Sequence, residues 1–418
     1  MKIHELGPDA TAADVRALTP DPRDVEDDVR AIVDEVRRDG DAALVRLTER
    51  FDGVTLAPED LRVSTEELKA AAETTDPDVL DGLRTAIANV RAVAEAQLRE
   101  ELSIDLPDGQ QVEIAELPVR RVGAYVPAGQ AAYPSSLVMI AVPARVAGVD
   151  RVAVCAGPGP DGRVNPLILA ACVLCEVDEV YRVGGAQAVA ALAYGTESVG
   201  AVDVVAGPGS RWVQEAKRQV VGTVGIEGVA GPSELVIVAG ETADAEPLAL
   251  DLMAQAEHGE DSLVAIASPN PSLLDGVRTA VEQWAPERSS VKDAPLALIR
   301  TGSVGEAVTL AEDIAPEHLQ LVGEEAERWA PSVRSAGCLF LGSAAGTAFG
   351  DYVAGSNHVL PTGGAARFQS AVSPATFRRR MARVSFPGES AARLAAKGAP
   401  LARAEGFPVH AESMERRA

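Results

Sequence analysis

The chain has 418 residues, with 62 acidic against 38 basic side chains and a net charge of −24, so it has room for two or more domains. It lacks the basic stripe needed to hold nucleic acid or an anionic membrane. No run of about 18 apolar residues interrupts it, which excludes a membrane-spanning helix.

Met1-Lys2-Ile3-His4-Glu5-Leu6 lacks the apolar stretch of a secretory signal, so a cytoplasmic enzyme is expected. In the first quarter Val25, Val29, Ile32, Val33 and Val36 fall on one helical stripe. Leu80, Leu83, Ile87, Val90 and Ala94 repeat the pattern, and Gly40 and Gly53 punctuate between helices. From about residue 120, short β-rich runs alternate with helices of small residues: 121–126, 151–155, 179–183 and 202–205. A second series follows at 234–239, 262–267, 297–300, 319–322 and 338–341. Such alternation predicts parallel βαβ units. The expected fold class is α/β, with two Rossmann-like doubly wound domains, N-terminal helices and a helical C-terminal segment. Residues 1–122 and 231–374 would form one discontinuous domain and 123–230 an inserted one, with the break near Ala230-Gly231-Pro232. The long N-terminal helices are expected on the second sheet. After Pro374 the chain is rich in Arg, Ala and Gly without clear strands, so 375–418 reads as helical. Arg378-Arg379-Arg380 reads as a solvated face.

Two composition signals bear on chemistry. Cys155, Cys172, Cys175 and Cys338 are too few and uneven for a disulfide framework, and the apolar setting of Cys172-Val173-Leu174-Cys175 predicts buried thiols on a helix. Lysine occurs only at Lys2, Lys69, Lys217, Lys292 and Lys397, and an acidic, lysine-poor surface suits solubility in high salt, where self-repulsion is screened.

Gly157-Pro158-Gly159-Pro160-Asp161-Gly162 matches the dinucleotide pattern G-x-G-x-x-G after a strand. Prolines at 158 and 160 remove two of the N–H donors that such a loop offers a pyrophosphate. The acid expected at the end of the next strand is also missing, since that strand runs into Gly184-Gly185-Ala186-Gln187. A proline-stiffened turn is the better reading, and any NAD site must be built otherwise.

Of only five histidines, four stand beside acids or amides in Gly/Pro-bounded segments: His258, His318, His358 and His410. Singly, each is better explained by a hydrogen bond to a carbonyl or by a helix dipole. Together they are what a composite metal and acid/base site needs. Residues 248–258 read as a helix stopped by Gly259, placing Gln255 and His258 on one face of its last turn. Both can reach one ion; Asp351, on a glycine-bounded loop, and His410 would complete a nitrogen/oxygen set of zinc type. Glutamine is an uncommon zinc ligand, and H-x-x-x-H is absent, so spacing alone does not assign zinc. Glu317-His318, after Pro316, is the acid/base candidate: the imidazole suits an alcohol proton, the carboxylate suits activating water. An exposed helix start explains the pair equally well.

At these residues the chain resembles the histidinol dehydrogenase family over nearly its whole length. The resemblance is carried by Arg121-Val122-Gly123-Ala124-Tyr125-Val126-Pro127, Val183-Gly184-Gly185-Ala186-Gln187-Ala188 and Glu215-Ala216-Lys217-Arg218-Gln219-Val220. It is strongest at Ala230-Gly231-Pro232-Ser233-Glu234, residues 255–259, Pro316-Glu317-His318-Leu319, Gly350-Asp351-Tyr352 and residues 355–362. It implies oxidation of histidinol to histidine through a bound aldehyde, with zinc and two NAD molecules. It implies zinc held by Gln255, His258, Asp351 and His410, with Glu317 and His318 transferring protons. Ser233, His358 and Glu405 would line the substrate pocket together with His318 and the zinc ligands. NAD contacts fall on Tyr125, Gln187 and Ser210, where the family has Asn in place of this serine. The discontinuous domain would carry the zinc and substrate side, and the inserted one the NAD side. The family is a dimer whose C-terminal segment reaches the partner's site, so Glu405 and His410 would act in cis or in trans. The competing readings are another NAD-dependent amino alcohol or aldehyde dehydrogenase, including one acylating a thiol, a zinc hydrolase, and a non-enzymatic binding protein.

Overall fold

Three sheets organise the chain; the computed structural model describes residues 1–19, 25–127 and 132–417. The chain enters with strand β1 (Lys2–Leu6) and a short helix α1 (Ala12–Arg16), the latter fixed by a reciprocal Thr11–Asp14 capping box. Four helices follow: α2 (Glu26–Asp39), α3 (Asp41–Asp52), α4 (Thr65–Thr74) and α5 (Pro77–Ala96). The predicted stripes are their buried faces, with Val29, Ile32, Val33 and Val36 buried on α2 and Leu83, Ala86, Val90 and Ala94 on α5. Strands β2 (Leu102–Asp105) and β3 (Gln111–Pro118) come next and are antiparallel to one another.

The first α/β series is β4 (Arg121–Val126), α6 (Pro134–Ala147), β5 (Arg151–Ala156), α7 (Pro166–Leu174), β6 (Glu179–Tyr181) and α8 (Gly185–Tyr194). It ends with β7 (Val204–Ala206), α9 (Arg211–Val220) and β8 (Gly225–Ile226). All five strands are parallel, in the order β6-β5-β4-β7-β8 of a doubly wound half. The second series is β9 (Glu234–Ala239), α10 (Ala245–Ala256), β10 (Leu263–Ser268), α11 (Pro271–Trp284), β11 (Pro295–Arg300) and α12 (Val304–Ile314). It continues through β12 (His318–Val322), α13 (Glu324–Glu327), β13 (Cys338–Leu341) and α14 (Thr347–Tyr352). Its strands form a parallel sheet, β1-β11-β10-β9-β12-β13. Every residue of β9 and β10 is buried, which is why these strands read as unbroken apolar runs and not as alternation.

Two expectations are corrected. Only β1 and α1 join the second series, pairing with β11 and packing on α12. Helices α2–α5 cover the first sheet instead: α2 lies on α8 and α9, α4 on α7, and α5 on α6. Periodicity shows that a helix buries one face; it does not say against which sheet. The second correction falls after Pro374, where β14 (Arg378–Ser385) runs antiparallel to β3. Its side chains are nearly all exposed, and cross-strand pairs such as Arg380–Glu116 replace an apolar face, so the sequence shows no period of two. The helical reading holds from α15 (Gly388–Ala404) through α16 (Pro408–Glu415).

Candidate active site

The two parallel sheets meet across a cleft of about 1580 Å³. The first sheet presents the carboxyl ends of its strands: Tyr125 near the end of β4, Gly157 after β5, Gly184 after β6 and Gly209 after β7 all line it. The second presents amino ends, with Ser233 before β9 and Glu317-His318 at the start of β12. Strands β9 and β12 are direct neighbours, so residues far apart in sequence start side by side.

The turn that delivers Glu317 and His318 is held in an unusual conformation. Ala315 caps α12 with φ 49° and ψ 63°, a left-handed backbone that a side chain disfavours. Glu317 and His318 are both buried, which removes the exposed-helix-start alternative. The Ser233 hydroxyl donates to Glu317 Oε2 at 2.6 Å, and the Glu234 amide donates to the same oxygen at 2.8 Å. Burial outweighs these donors and pushes the Glu317 carboxyl up to about 8. His318 Nδ1 stands 3.0 Å from the Glu234 carbonyl, which as an acceptor fixes the proton on Nδ1 and leaves Nε2 unprotonated in the neutral ring. Burial lowers the His318 pKa, favouring that neutral form.

Beside this pair the predicted donor residues gather. His258 Nε2 lies 4.0 Å from Asp351 Oδ2, and His318 Nε2 lies 3.9 Å from Asp351 Oδ1. Burial raises the Asp351 pKa and lowers that of His258. Gln255 is buried on α10, and its amide donates to Ser233 Oγ at 2.7 Å, leaving Oε1 as its free donor atom for an ion. Two local expectations differ. The helix ends at Ala256, so His258 sits in the turn beyond it, and Asp351 stands on helix α14 and not on a loop. His358 is tied between segments: Nδ1 donates to the Asp351 carbonyl at 2.8 Å, and Nε2 accepts from the Ser136 hydroxyl at 3.2 Å. Burial lowers its pKa to about 4, so it is neutral at physiological pH.

Glu405 and His410 are not brought to this cleft within the chain. Both are exposed, at the end of α15 and on α16, beside the exposed Phe407 and Val409. Among the described residues no group of three or more His, Cys, Asp or Glu is arranged to hold a metal. The donors present are therefore a partial set. The His258–Asp351 separation suits a shared ion, because bonds of about 2 Å to each span about 4 Å at most.

Toward the first sheet, the Tyr125 hydroxyl accepts from the Gly185 amide at 3.2 Å, and Ser210 lines the cleft. Gln187 is buried and folds back on its helix start, its Oε1 2.8 Å from where a Cβ on Gly185 would stand. The Gly157–Gly162 segment is a turn closed by the Gly159 amide on the Arg163 carbonyl at 2.8 Å, and α7 begins only at Pro166. No helix start stands behind it to offer a pyrophosphate its N–H groups. Cys155, Cys172 and Cys175 are buried and free, and Cys338, opposite His318 in the sheet, is free and partly buried; burial pushes up all four thiols, which disfavours a thiol-acylating mechanism.

Glu234 and Lys217 had no role in the sequence reading. The Glu234 carboxylate, buried at the start of β9, takes Arg16 Nη1 at 2.8 Å, the Gly363 amide at 2.9 Å and the Glu317 amide at 3.2 Å. It thereby ties the Glu317 turn to the loop after His358. Lys217 is fully buried; its Nζ donates to Glu227 Oε1 at 2.7 Å and to the Gly207 carbonyl at 3.1 Å. Gly207 has φ 144°, and a Cβ there would collide with the Tyr125 carbonyl. An acid opening an apolar strand and a lysine inside a helical stripe were the available signals.

The sequence profile described as histidinol dehydrogenase matches residues 16–418. A histidinol dehydrogenase of Gluconobacter oxydans is 43% identical over 400 residues, 94% of this chain and 93% of the relative. One of a Synechococcus strain is 44% identical over 398 residues, 94% of this chain and 92% of the relative. The crystal structure of histidinol dehydrogenase from Elizabethkingia anophelis superposes with a TM-score of 0.91 at 28% identity, covering 100% of this chain and 98% of that one.

Proposed function

The chain belongs to the histidinol dehydrogenase family, and from that premise we propose that it oxidises L-histidinol to L-histidine through bound L-histidinaldehyde, reducing two NAD. The observation that carries the reading is the buried Glu317-His318 pair beside Asp351 and His258, with Ser233 and Gln255 wired into it.

The family generally uses zinc and NAD. We assign zinc to Gln255, His258, Asp351 and His410, and NAD contacts to Tyr125, Gln187 and Ser210. When bound, zinc supplies a Lewis acid for the substrate's oxygen, and NAD supplies the hydride acceptor. His318 Nε2, left without a proton by the Nδ1 contact to Glu234, takes the alcohol proton in the first oxidation. Glu317 takes a proton from the water that adds to the aldehyde, Oε1 being the oxygen not tied to Ser233 and Glu234. His358, neutral and pinned by Ser136 and Asp351, lines the substrate end with Ser233. Glu405 and His410 are assigned to the second subunit of a homodimer, completing each site in trans. The exposed Leu401, Phe407 and Val409 around them support a covered face. The zinc and substrate side is assigned to the unit built on the second sheet, with β1 and α1, and the NAD side to the unit built on the first sheet, which α2–α5 cover. No helix among the described residues is long and apolar enough to cross a membrane, and a cytoplasmic location is part of the proposal.

The test is absorbance at the NADH band on adding histidinol and NAD, with identification of the product. Two NADH per histidine formed is expected. One NADH per turnover, with aldehyde released to solvent, would contradict the reading, as would amide hydrolysis without NADH.

A further inference from the structure

A sheet with the order of the first one places an acid near the end of its second strand, where it holds the adenosine ribose of a dinucleotide. Here the corresponding strand ends run into glycines, β5 into Gly157-Pro158 and β6 into Gly184-Gly185. The structure supplies an acid at that place from a different element. Asp52 is the last residue of α3, one of the helices that cover this sheet, and its side chain reaches the two glycines. A Cβ on Gly157 would stand 3.8 Å from Asp52 Oδ1, and a Cβ on Gly184 3.9 Å from it. Those same Cβ positions are 3.4 Å and 3.1 Å from the opposing glycine's Cα, so this wall of the cleft is bare backbone facing a carboxylate.

The carboxylate is short of donors. Asp52 Oδ2 is shut off from solvent and, among the described residues, accepts no hydrogen bond. By contrast, Asp41 is served by Thr196 and Ser198, Glu67 by Arg182, and Glu227 by Lys217. Burial raises the Asp52 carboxyl to about 6, which leaves it mainly ionised at neutral pH. Asp52 lines the same cleft as Tyr125 and Ser210, and its charge acts on the Tyr125 hydroxyl. An ionised acceptor without donors, over a floor of glycine backbone, fits a ligand that brings hydroxyl donors and no negative charge at that point.

We propose that Asp52 accepts the adenosine ribose hydroxyls of NAD and, by repelling a 2′-phosphate, restricts this cleft to NAD over NADP. The proposal rests on the NAD reading of the cleft given above.

The test is equilibrium titration of the full zinc-loaded chain with NAD and with NADP, for wild type and for Asp52→Asn, with histidinol binding measured alongside. Wild type should bind NADP at least about tenfold more weakly than NAD, the scale of one charge-assisted hydrogen bond. Asp52→Asn should weaken NAD about tenfold, bring NADP close to NAD, and leave histidinol affinity unchanged. Should the variant fail to fold, NAD lacking the adenosine 2′-hydroxyl is titrated into wild type, and about tenfold weaker binding is expected. Unchanged NAD affinity and unchanged discrimination in Asp52→Asn overturns the proposal, as does equal binding of the deoxy analogue. If wild type binds neither dinucleotide, the NAD reading itself fails, and the two failures are thereby told apart.

Discussion

Replacing Glu317 by glutamine keeps the size and shape of the side chain and removes its capacity to accept a proton. The Ser233 hydroxyl and the Glu234 amide both donate to Oε2, and an amide oxygen can take the same two bonds, so the turn should keep its place. The carboxyl is pushed up to about 8, so at pH 7 about one molecule in ten carries the base form. A positioned general base is worth roughly 10²- to 10⁴-fold, and that loss should fall on the second oxidation, which needs water activated. The first oxidation, which relies on His318, should lose less than about tenfold. The sign with pH follows: the base form grows as pH rises, so the wild-type aldehyde oxidation should climb about tenfold per unit below 8 and level above it. The variant should lose that climb. Histidinol and histidinaldehyde are each supplied with NAD, and NADH formation is followed as a function of pH. Equal losses in the two half-reactions, or a variant that keeps the climb, would refute the role given to Glu317.

Two further expectations concern stability. Lys217→Met strands the Glu227 carboxylate in a buried site and should cost about 3–5 kcal/mol in a denaturant melt, while adding Glu227→Gln should restore a large part; a single variant as stable as wild type would contradict the buried pair. With a net charge of −24, the melting temperature should rise between low and molar salt as self-repulsion is screened, and a flat response would count against salt adaptation.

The sequence was most informative where burial is two-sided or a turn is chemically marked. β9 and β10 are buried throughout and flanked by Gly, Pro or polar turns, so their apolar runs stood out. The neighbours Glu317 and His318 were visible as a pair after Pro316, yet their burial comes from the pairing of β12 with β9, a long-range contact that no local pattern encodes. Gln255 and His258 were expected on one face of a last helical turn, but the helix ends at Ala256 and His258 lies in the turn beyond, tied to Gln255 by its backbone amide. β14 escaped notice because both of its faces are polar, and α2–α5 were set on the wrong sheet because an amphipathic stripe does not name its partner. Asp52 was invisible as a site residue for the same reason: its neighbours Gly157 and Gly184 are contributed by a sheet more than a hundred positions away. Glu405 and His410 were linked to the site only by the family resemblance, and in the folded chain they stand exposed on the C-terminal helices.

The central claim is that His258 and Asp351, together with Gln255, hold one ion beside the Glu317-His318 pair. Zinc retained per subunit after gel filtration measures this directly in wild type, His258→Ala, Asp351→Asn and Glu317→Gln. Wild type and Glu317→Gln should each keep about one zinc, and the His258 and Asp351 variants should emerge with almost none. Ligand variants that carry as much zinc as wild type would contradict the account.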